Sequence, residues 1–276
     1  ILGEQEVLFF PSSFRRAVKF GHRDAANEIL RTEVISRLSA GHHPLFVVTC
    51  PEAVMEKVVS RQKLEERTLR LHVGERVDIV FVEETLASFG FSRVDYVYEP
   101  GQFAVRGSIL DVFSYSSEKP CRVDFFGNEV DSIRVFDMQS QLSGDRLQEA
   151  VIVPELGGAL QDKVPFTDFL PSRTVVVMKD LFFVRDVADR VYAEGFSTQA
   201  LLDEQANSEM EEAELREKLR TDRIFINGAA LMKGLLGFRR VEIGRKPSAA
   251  VQATVRFRLK AQPVFHKNFE MVNRSF

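Results

Sequence analysis

Two arginines, Arg93 and Arg106, are the residues whose type and spacing best suit a binding role. They fall on two predicted strands, 93–98 and 102–106, which are joined by a short turn. Side chains alternate along a strand, so Arg106 shares a face with Ala104, and we expect Arg93 to line the same surface. Planar guanidinium groups pair through two hydrogen bonds with carboxylates, and this surface therefore predicts an acidic protein partner.

A purely structural role for Arg106 is the alternative. Asp95 and Asp111 lie on the neighbouring predicted strands, and either could form an ion pair with this arginine. Exposed pairs of that kind contribute only ~0–1 kcal/mol and bind nothing. The residues alone leave both interpretations open.

Residues for catalysis or metal binding do not occur at the spacings that such sites need. The chain contains neither a phosphate-binding loop GxxxxGK[ST] nor the GxSxG turn of a nucleophilic serine. No two of the five histidines are four residues apart, the spacing that places two imidazoles on one helical face. We therefore expect no catalytic residue, no metal site and no cofactor in this chain.

Composition and charge narrow the classes of protein. The 276 residues are 45% hydrophobic and 28% charged, with 37 basic and 40 acidic side chains, which gives a net charge of −3. This balance argues against disorder and against a general nucleic-acid footprint, although Arg256, Arg258 and Lys260 form a local basic strip that could bind DNA. Cys50 and Cys121 are too few for a disulfide framework, which suggests a reducing cytoplasm. No run approaches ~18 apolar residues, so we expect no membrane contact.

The ends of the chain alternate strands and helices. The apolar segments 7–10 and 45–49 are predicted strands around a helix that Asp24 caps, and Pro51 opens another helix to about residue 60. Later in the chain, 174–178 is a predicted strand followed by a helix that Asp180 caps. We interpret these parts as parallel α/β layers.

The middle of the chain has a different rhythm. A helix from Asp78 to Gly90 is followed by short segments rich in Val, Phe and Tyr, which are separated by tight turns. Consecutive strands with tight turns predict an antiparallel sheet. We therefore predict an α+β domain over 57–155, inserted between α/β parts at 1–56 and 156–250, and a return to the first part over 251–276.

Three smaller predictions concern the last hundred residues. The segment 203–220 carries opposite charges at i,i+4 and is predicted to be an exposed helix. The segments 223–226 and 240–243 are predicted strands. The segment 254–259 alternates Arg256 and Arg258 outward with Val255, Phe257 and Leu259 inward, which predicts a half-buried strand.

A family resemblance rests on the sequence of the predicted sheet. The runs GFSRVDY at 90–96, EPGQFAVRGSILDVF at 99–113 and RVDFFGNEVDSIR at 122–134 resemble the UvrA-binding domain of UvrB and of bacterial transcription-repair coupling factors. The runs DYVYEPG at 95–101 and FDMQSQ at 136–141 are more similar to the coupling factors, and 12–95 lacks the tyrosines of the damage-clamping hairpin in UvrB. The resemblance implies a UvrB-like degenerate motor-type α/β fold around the inserted domain.

The resemblance also implies roles for individual residues. Arg93 and Arg106 match positions where the family uses arginines to contact UvrA, whereas UvrB-type sequences have another arginine at the position of Ala104. Phe103 matches the same motif, although a phenylalanine in the core of the sheet is the simpler account of it. The residues with weaker support are Gly101 and Gly107, for which turn formation is the simpler account, and Arg122 and Asp124 at the rim.

For the whole protein, the resemblance implies more than this chain contains. The first residue is Ile1 rather than Met, and we expect the chain to be a piece of a longer protein. A coupling factor would add an ATP- and Mg-dependent DNA translocase and an RNA-polymerase-binding domain, and a C-terminal domain that masks the UvrA site. We therefore expect a non-catalytic adaptor that recruits UvrA, and the alternative is a module that binds duplex DNA.

Overall fold

The structure is a computed structural model, and it describes residues 7–14, 24–41, 45–156, 163–194, 221–243 and 252–257. The chain divides into two compact units, 1–243 and 244–276. The described residues of the first unit form a mixed α/β structure with three main hydrophobic clusters. Those of the second unit are 252–257 alone, and they contain no helix or strand.

The first part of the larger unit is a parallel strand pair with one helix. Strands β1 (Val7–Phe10) and β2 (Phe46–Thr49) pair in parallel, and helix α1 (Ala25–Ala40) connects them. The Asp24 carboxylate caps α1 by accepting a hydrogen bond from Ala26 N, and the helix ends at Gly41 with a φ of 68°. These elements confirm the predicted strand, cap and helix at the start of the chain.

The helix that begins at Pro51 is shorter than predicted. Helix α2 covers only Pro51–Val54, and strand β3 (Val58–Val59) follows it. Both valines of β3 are buried, and Lys57 N donates to Ile224 O, so contacts distant in sequence keep this segment extended. Two short elements then lead into the next domain: α3 (Arg61–Glu66) and β4 (Leu69–His72).

A buried ion pair joins these elements. Glu56 and Arg31 have side chains only 3% and 5% exposed, and Arg31 Nη2 lies 3.3 Å from Glu56 Oε2. The Glu56 carboxylate also accepts hydrogen bonds from both hydroxyls of Ser12 and Ser13 and from Ser13 N. Arg31 donates to the carbonyl of Pro11 and stacks on the Phe10 ring. The end of β1 is thereby tied to α1 and to the segment after α2.

The middle of the unit is a six-stranded sheet in the order β10-β9-β8-β7-β6-β5. Every adjacent pair is antiparallel except β5 and β6. Its strands are β5 (Ser92–Arg93), β6 (Gln102–Arg106), β7 (Ile109–Val112), β8 (Cys121–Phe126), β9 (Glu129–Phe136) and β10 (Ser143–Leu147). The predicted antiparallel sheet is therefore present over most of its width.

One face of this sheet is apolar and covered. Helix α4 (Ile79–Ser88) packs against it through Val82 and Leu86, together with the antiparallel pair of β4 and β11 (Glu149–Ile152). Asp78 caps α4 through Val80 N, and the chain turns at Gly90 with a φ of 86°, as the sequence predicted. We call the part from β4 to β11 the central domain.

The predicted strand 93–98 is wrong in extent and direction. Strand β5 covers only Ser92–Arg93 and pairs in parallel with β6. The segment 94–99 leaves the sheet because Val97 is fully buried beneath it, in a small cluster with Phe113 and Phe136. A single turn at Gly101 therefore does not form a hairpin between the two strands.

The last part of the larger unit is again a parallel α/β arrangement. Strands β13 (Val175–Met178) and β14 (Arg239–Glu242) pair in parallel, and helices α6 (Leu181–Glu194) and α8 (Gly228–Leu236) pack together beside them. Asp180 caps α6 as predicted, through Phe182 N. The remaining short elements are β12 (Lys163–Val164), which pairs with β3, α5 (Phe166–Phe169) and α7 (Thr221–Ile224).

Two sequence predictions in this region are wrong. The segment 223–226 is the end of helix α7 followed by one antiparallel bridge between Phe225 and Glu56, because Ile224 and Phe225 bury their side chains against α6 and α8. The segment 254–257 is not a half-buried strand, since Val255 and Phe257 are both about three-quarters exposed at 75% and 76%. The predicted helix 203–220 lies outside the described residues.

Candidate protein-binding surface

The second face of the central sheet is polar, and we call it the arginine face. Strand alternation and register place its members in cross-strand rows opposite the apolar core. They are Arg106, Asp111, Arg122, Asp124, Ser132, Arg134 and Arg146. Four guanidinium groups against two carboxylates make this face basic in a chain whose net charge is −3.

Asp111 is the centre of the arginine face. Its side chain is 0% exposed, and Arg122 binds it with two hydrogen bonds, from Nε to Oδ1 at 2.7 Å and from Nη2 to Oδ2 at 2.9 Å. Arg106 Nη2 donates to the same Oδ2. The hydrogen bond to Asp111 raises the pKa of Arg122 above its ordinary value, so its positive charge is fixed. One buried carboxylate therefore orients two arginines.

Arg106 is held from three directions and remains accessible. Besides Asp111, its Nη1 donates to the main-chain carbonyl of Asp95 at 2.8 Å, and its guanidinium carbon lies 5.3 Å from the centre of the Tyr96 ring. Its side chain is still 38% exposed. The predicted structural contacts of Arg106 are confirmed, except that it binds the main-chain carbonyl of Asp95 rather than the Asp95 carboxylate. The hydrogen bonds to Asp95 and Asp111 leave other N–H groups of the guanidinium available to a partner.

Arg93 lies on the opposite face of the sheet. It is in register with Phe103, whose side chain belongs to the apolar core, and it forms a 2.9 Å ion pair with Glu83 of helix α4. The prediction that Arg93 and Arg106 line one surface is therefore wrong. The reason is the parallel pairing of β5, which turns Arg93 toward the helix side. Both arginines are nevertheless near the same sheet edge, because β5 is the terminal strand.

The other residues of the motif fall into two groups. Phe103 is 3% exposed and packs in the central core, so its side chain is not part of the surface. Gly101 and Gly107 have φ values of 85° and 62°, which identifies them as turn residues. Arg122 and Asp124 lie on the arginine face and are half-buried, and their role as rim contacts stays a prediction.

Ala104 shows why a third arginine is absent from this motif. It is 1% exposed and packs with Val97, Phe113 and Phe136 beneath the segment that follows β5. A long charged side chain at this position would have to displace that cluster. Apart from Arg106, the arginines of this face lie on β8, β9 and β10.

Arg134 and Arg146 are members of the arginine face that the sequence analysis missed. Arg134 is in register with both Arg122 and Arg146, so the three form a row across adjacent strands. The alternation of Ser132, Arg134 and Phe136 in one strand was a usable signal for Arg134. Arg146 had none, because strand β10 was not predicted and its register shifts between Ser143 and Arg146.

The described residues hold few features of other kinds of site. A cavity of about 30 Å³ beside Glu56 and Arg31 has room for about one water molecule, and an open groove of about 500 Å³ is lined by residues that include Asp78, Phe126 and Glu129. Within the described ranges, no cluster of His, Cys, Asp or Glu could hold a metal ion. No helix there has the length and apolarity to cross a membrane. Arg256 is exposed, and Arg258 and Lys260 lie outside the described residues.

A family model matches the part of the chain that carries the arginine face. Residues 69–156 match the model described as the UvrB interaction domain. This span runs from the first residue of β4 to just beyond β11, so it coincides with the central domain. The central domain is similar to the UvrB interaction domain, and the resemblance stated from the sequence is confirmed over this span.

The curated relatives identify the kind of larger protein in which similar sequences occur. The chain is 28% identical over 173 residues to the transcription-repair-coupling factor of Bacillus subtilis (strain 168), 34% over 140 residues to that of Myxococcus xanthus, and 37% over 101 residues to that of Escherichia coli (strain K12). These matches cover 59%, 51% and 37% of this chain, and 14%, 12% and 9% of the relatives. The chain therefore corresponds to a small part of the relatives' length.

Proposed function

We propose that this chain is an adaptor module that recruits UvrA to a transcription-repair coupling factor. The observation that carries the proposal is the arrangement around Arg106, an accessible guanidinium already oriented by Asp111 and by the carbonyl of Asp95. Orientation before binding lowers the entropy lost when a partner's carboxylate pairs with it. The match of residues 69–156 to the UvrB interaction domain supports this role in nucleotide excision repair.

The proposed partner contacts the edge of the central sheet from both sides. Arg93 reaches the helix side, whereas Arg106 reaches the arginine face, and both lie at the β5–β6 edge. The ion pair of Arg93 with Glu83 is exposed, since the arginine side chain is 63% accessible, and a partner can replace it at little cost. A UvrA surface that wraps around this edge would engage both arginines.

The test is a calorimetric titration of purified UvrA with the wild-type chain and with Arg106→Glu. We expect the charge reversal to weaken binding by roughly 30-fold or more, because loss of one member of a buried charge pair costs roughly 2–5 kcal/mol. Arg93→Glu should weaken binding by a smaller factor, since its environment is more exposed.

Arg185→Glu is the matched control. Arg185 is 41% exposed, pairs with the adjacent Asp186 and lies on α6, outside the central domain. The Arg185→Glu variant has the same change in net charge as Arg106→Glu, and its affinity for UvrA should equal that of the wild type. Absence of binding by the wild type, or equal losses in Arg106→Glu and Arg185→Glu, would refute docking at the arginine face.

For the longer protein, we propose the organisation that the resemblance implies. The parallel pairs β1–β2 and β13–β14 on either side of the central domain support a UvrB-like, degenerate motor-type α/β scaffold without catalysis of its own. ATP-driven translocation on DNA and RNA-polymerase binding would reside in the rest of the protein. A C-terminal domain would mask the UvrA site at rest, and equal UvrA affinities of the intact resting protein and of this chain would contradict that masking.

A further inference from the structure

The row formed by Arg122, Arg134 and Arg146 has an unbalanced charge. The three residues face one another directly across β8, β9 and β10. Neighbouring strands lie about 4.8 Å apart, and like charges in directly opposite positions are unfavourable. A row of this kind is retained at some expense in stability, which suggests that it has a role beyond folding.

Only one member of the row is neutralised within the described part of the chain. Asp111 binds Arg122 with both of its oxygens, whereas neither Arg134 nor Arg146 forms an ion pair there. The Nε atom of Arg134 is buried and lacks a hydrogen-bond partner among the described residues. Asp124 is the other carboxylate of the face, and it accepts a hydrogen bond from Ser132. Arg134 and Arg146 therefore retain donors and charge for a ligand.

We propose that Arg134 and Arg146 form a second contact strip for an acidic segment of the protein that docks at the arginine face. This inference rests on the proposed function and adds contact residues to it. The strip is continuous with Arg106 through Asp111 and Arg122, so one partner surface can cover both. Carboxylates spaced as in an extended acidic segment would match arginines on successive strands.

The chemistry of the face favours a protein partner over a nucleic acid. Asp111 and Asp124 lie among the arginines of this face. Fixed carboxylates repel a continuous phosphate backbone, whereas a protein surface can place a cation or a hydroxyl opposite each of them. The ligands of Arg134 and Arg146 are therefore carboxylates on a folded protein partner.

The test uses the whole chain and three variants, Arg134→Gln, Arg146→Gln and the double variant, titrated with UvrA. We expect each single change to weaken binding by roughly fivefold and the double change by roughly 20-fold or more, with a smaller dependence on salt. The urea midpoint supplies the second measurement. It should stay the same or rise, because each change removes repulsion within the row, whereas a purely structural arginine would lower it when replaced.

The outcomes separate this inference from the proposed function. Loss of binding in Arg106→Glu together with wild-type affinity in the double variant would overturn the strip and leave UvrA docking intact. Absence of wild-type binding would overturn both. A wild-type chain that binds a DNA duplex in a salt-dependent manner, with binding lost in the double variant, would overturn the assignment to a protein partner.

Discussion

Replacing Glu56 by glutamine is expected to lower the free energy of unfolding by about 3–5 kcal/mol. Glu56 and Arg31 form an ion pair with almost no exposure to water, at 3% and 5%. Glutamine has the same shape but no charge, so Arg31 would lose the counter-ion that pairs with it among the described residues while its own charge stays buried. Breaking a buried pair in this way is costly because the remaining charge has lost its compensation.

The hydrogen bonds of the carboxylate set the size of this effect. Ser12 Oγ donates to Oε1 at 2.5 Å, Ser13 Oγ donates to Oε2 at 2.6 Å, and Ser13 N lies 3.1 Å from Oε1. A glutamine amide places an NH₂ group where Oε1 or Oε2 accepted these donors, so at least one donor meets another donor. The loss therefore includes hydrogen bonds as well as the ion pair.

Thermal and urea unfolding followed by circular dichroism measure the effect. For a unit of this size, each kcal/mol shifts the melting temperature by roughly 2–4 °C, so a decrease of roughly 6–20 °C is expected. The control is Glu66→Gln, which removes a glutamate that pairs with Lys63 at the surface and should leave the midpoint unchanged. Equal midpoints for Glu56→Gln and Glu66→Gln would refute the reasoning. The double variant Arg31→Met/Glu56→Gln should recover part of the loss, because it removes both buried charges.

Three further predictions concern the central domain. Gly101→Ala should lower the free energy of unfolding by about 1–3 kcal/mol, because φ is +85° and a new Cβ would lie 2.7 Å from the Tyr115 hydroxyl. Gly107→Ala is the control: the space around Gly107 is open, so the free energy of unfolding measured in urea should fall by only about 1 kcal/mol. Ala104→Arg should lower the free energy of unfolding by about 1–3 kcal/mol, because the site is 1% exposed, and it should not raise the affinity for UvrA in calorimetry. A gain in affinity with no loss of stability would contradict the burial of this position. Burial raises the pKa of Cys121 to about 12, whereas the thiol of an unfolded chain ionises near pH ~8.5. The unfolded state therefore loses this proton first, so the free energy of unfolding falls as pH rises between these two values. The urea midpoint of the wild type should therefore fall relative to that of Cys121→Ala over this range, and a constant difference would contradict the prediction.

The parts of the fold that sequence predicted correctly are those with local signals. Asp24 and Asp78 cap their helices through side chains two residues from the bonded N–H, and Gly90 lies in a left-handed turn. Each signal depends on a few adjacent residues. The tight turn at Gly127 likewise specified the hairpin of β8 and β9.

The errors occur where contacts distant in sequence decide the structure. The helix after Pro51 stops early because Lys57 bonds to Ile224, and this contact also ends the predicted strand at 223–226. The parallel pairing of β5 depends on burial of Val97 beside Ala104, which a period-2 pattern does not reveal. The division of the chain into four parts stays a prediction.

The arrangement of the arginine face was predicted in part, because some of its contacts join residues that are distant in sequence, and its role in binding stays a prediction. Arg106 and Arg122 were recognised because they belong to a contiguous family pattern. The shared surface of Arg93 and Arg106 was wrong, since the face of a residue depends on how its strand pairs as well as on its position along the strand. Arg134 and Arg146 become neighbours of Arg122 only through strand register. No spacing along the chain encodes a row that crosses three strands.

The strands that lead into and out of the central domain have a consequence for how such a domain can be inserted into another chain. Leu69–His72 and Glu149–Ile152 are hydrogen-bonded side by side, so the domain begins and ends at nearly the same place. A host chain that receives it must accommodate only two adjacent attachment points, whatever the length inserted. Recombination can therefore insert the domain as one unit, because the two junctions are adjacent and the host fold need not change at either of them. The same geometry makes residues 69–152 suitable for expression as a separate domain, because its two terminal strands are already paired with each other.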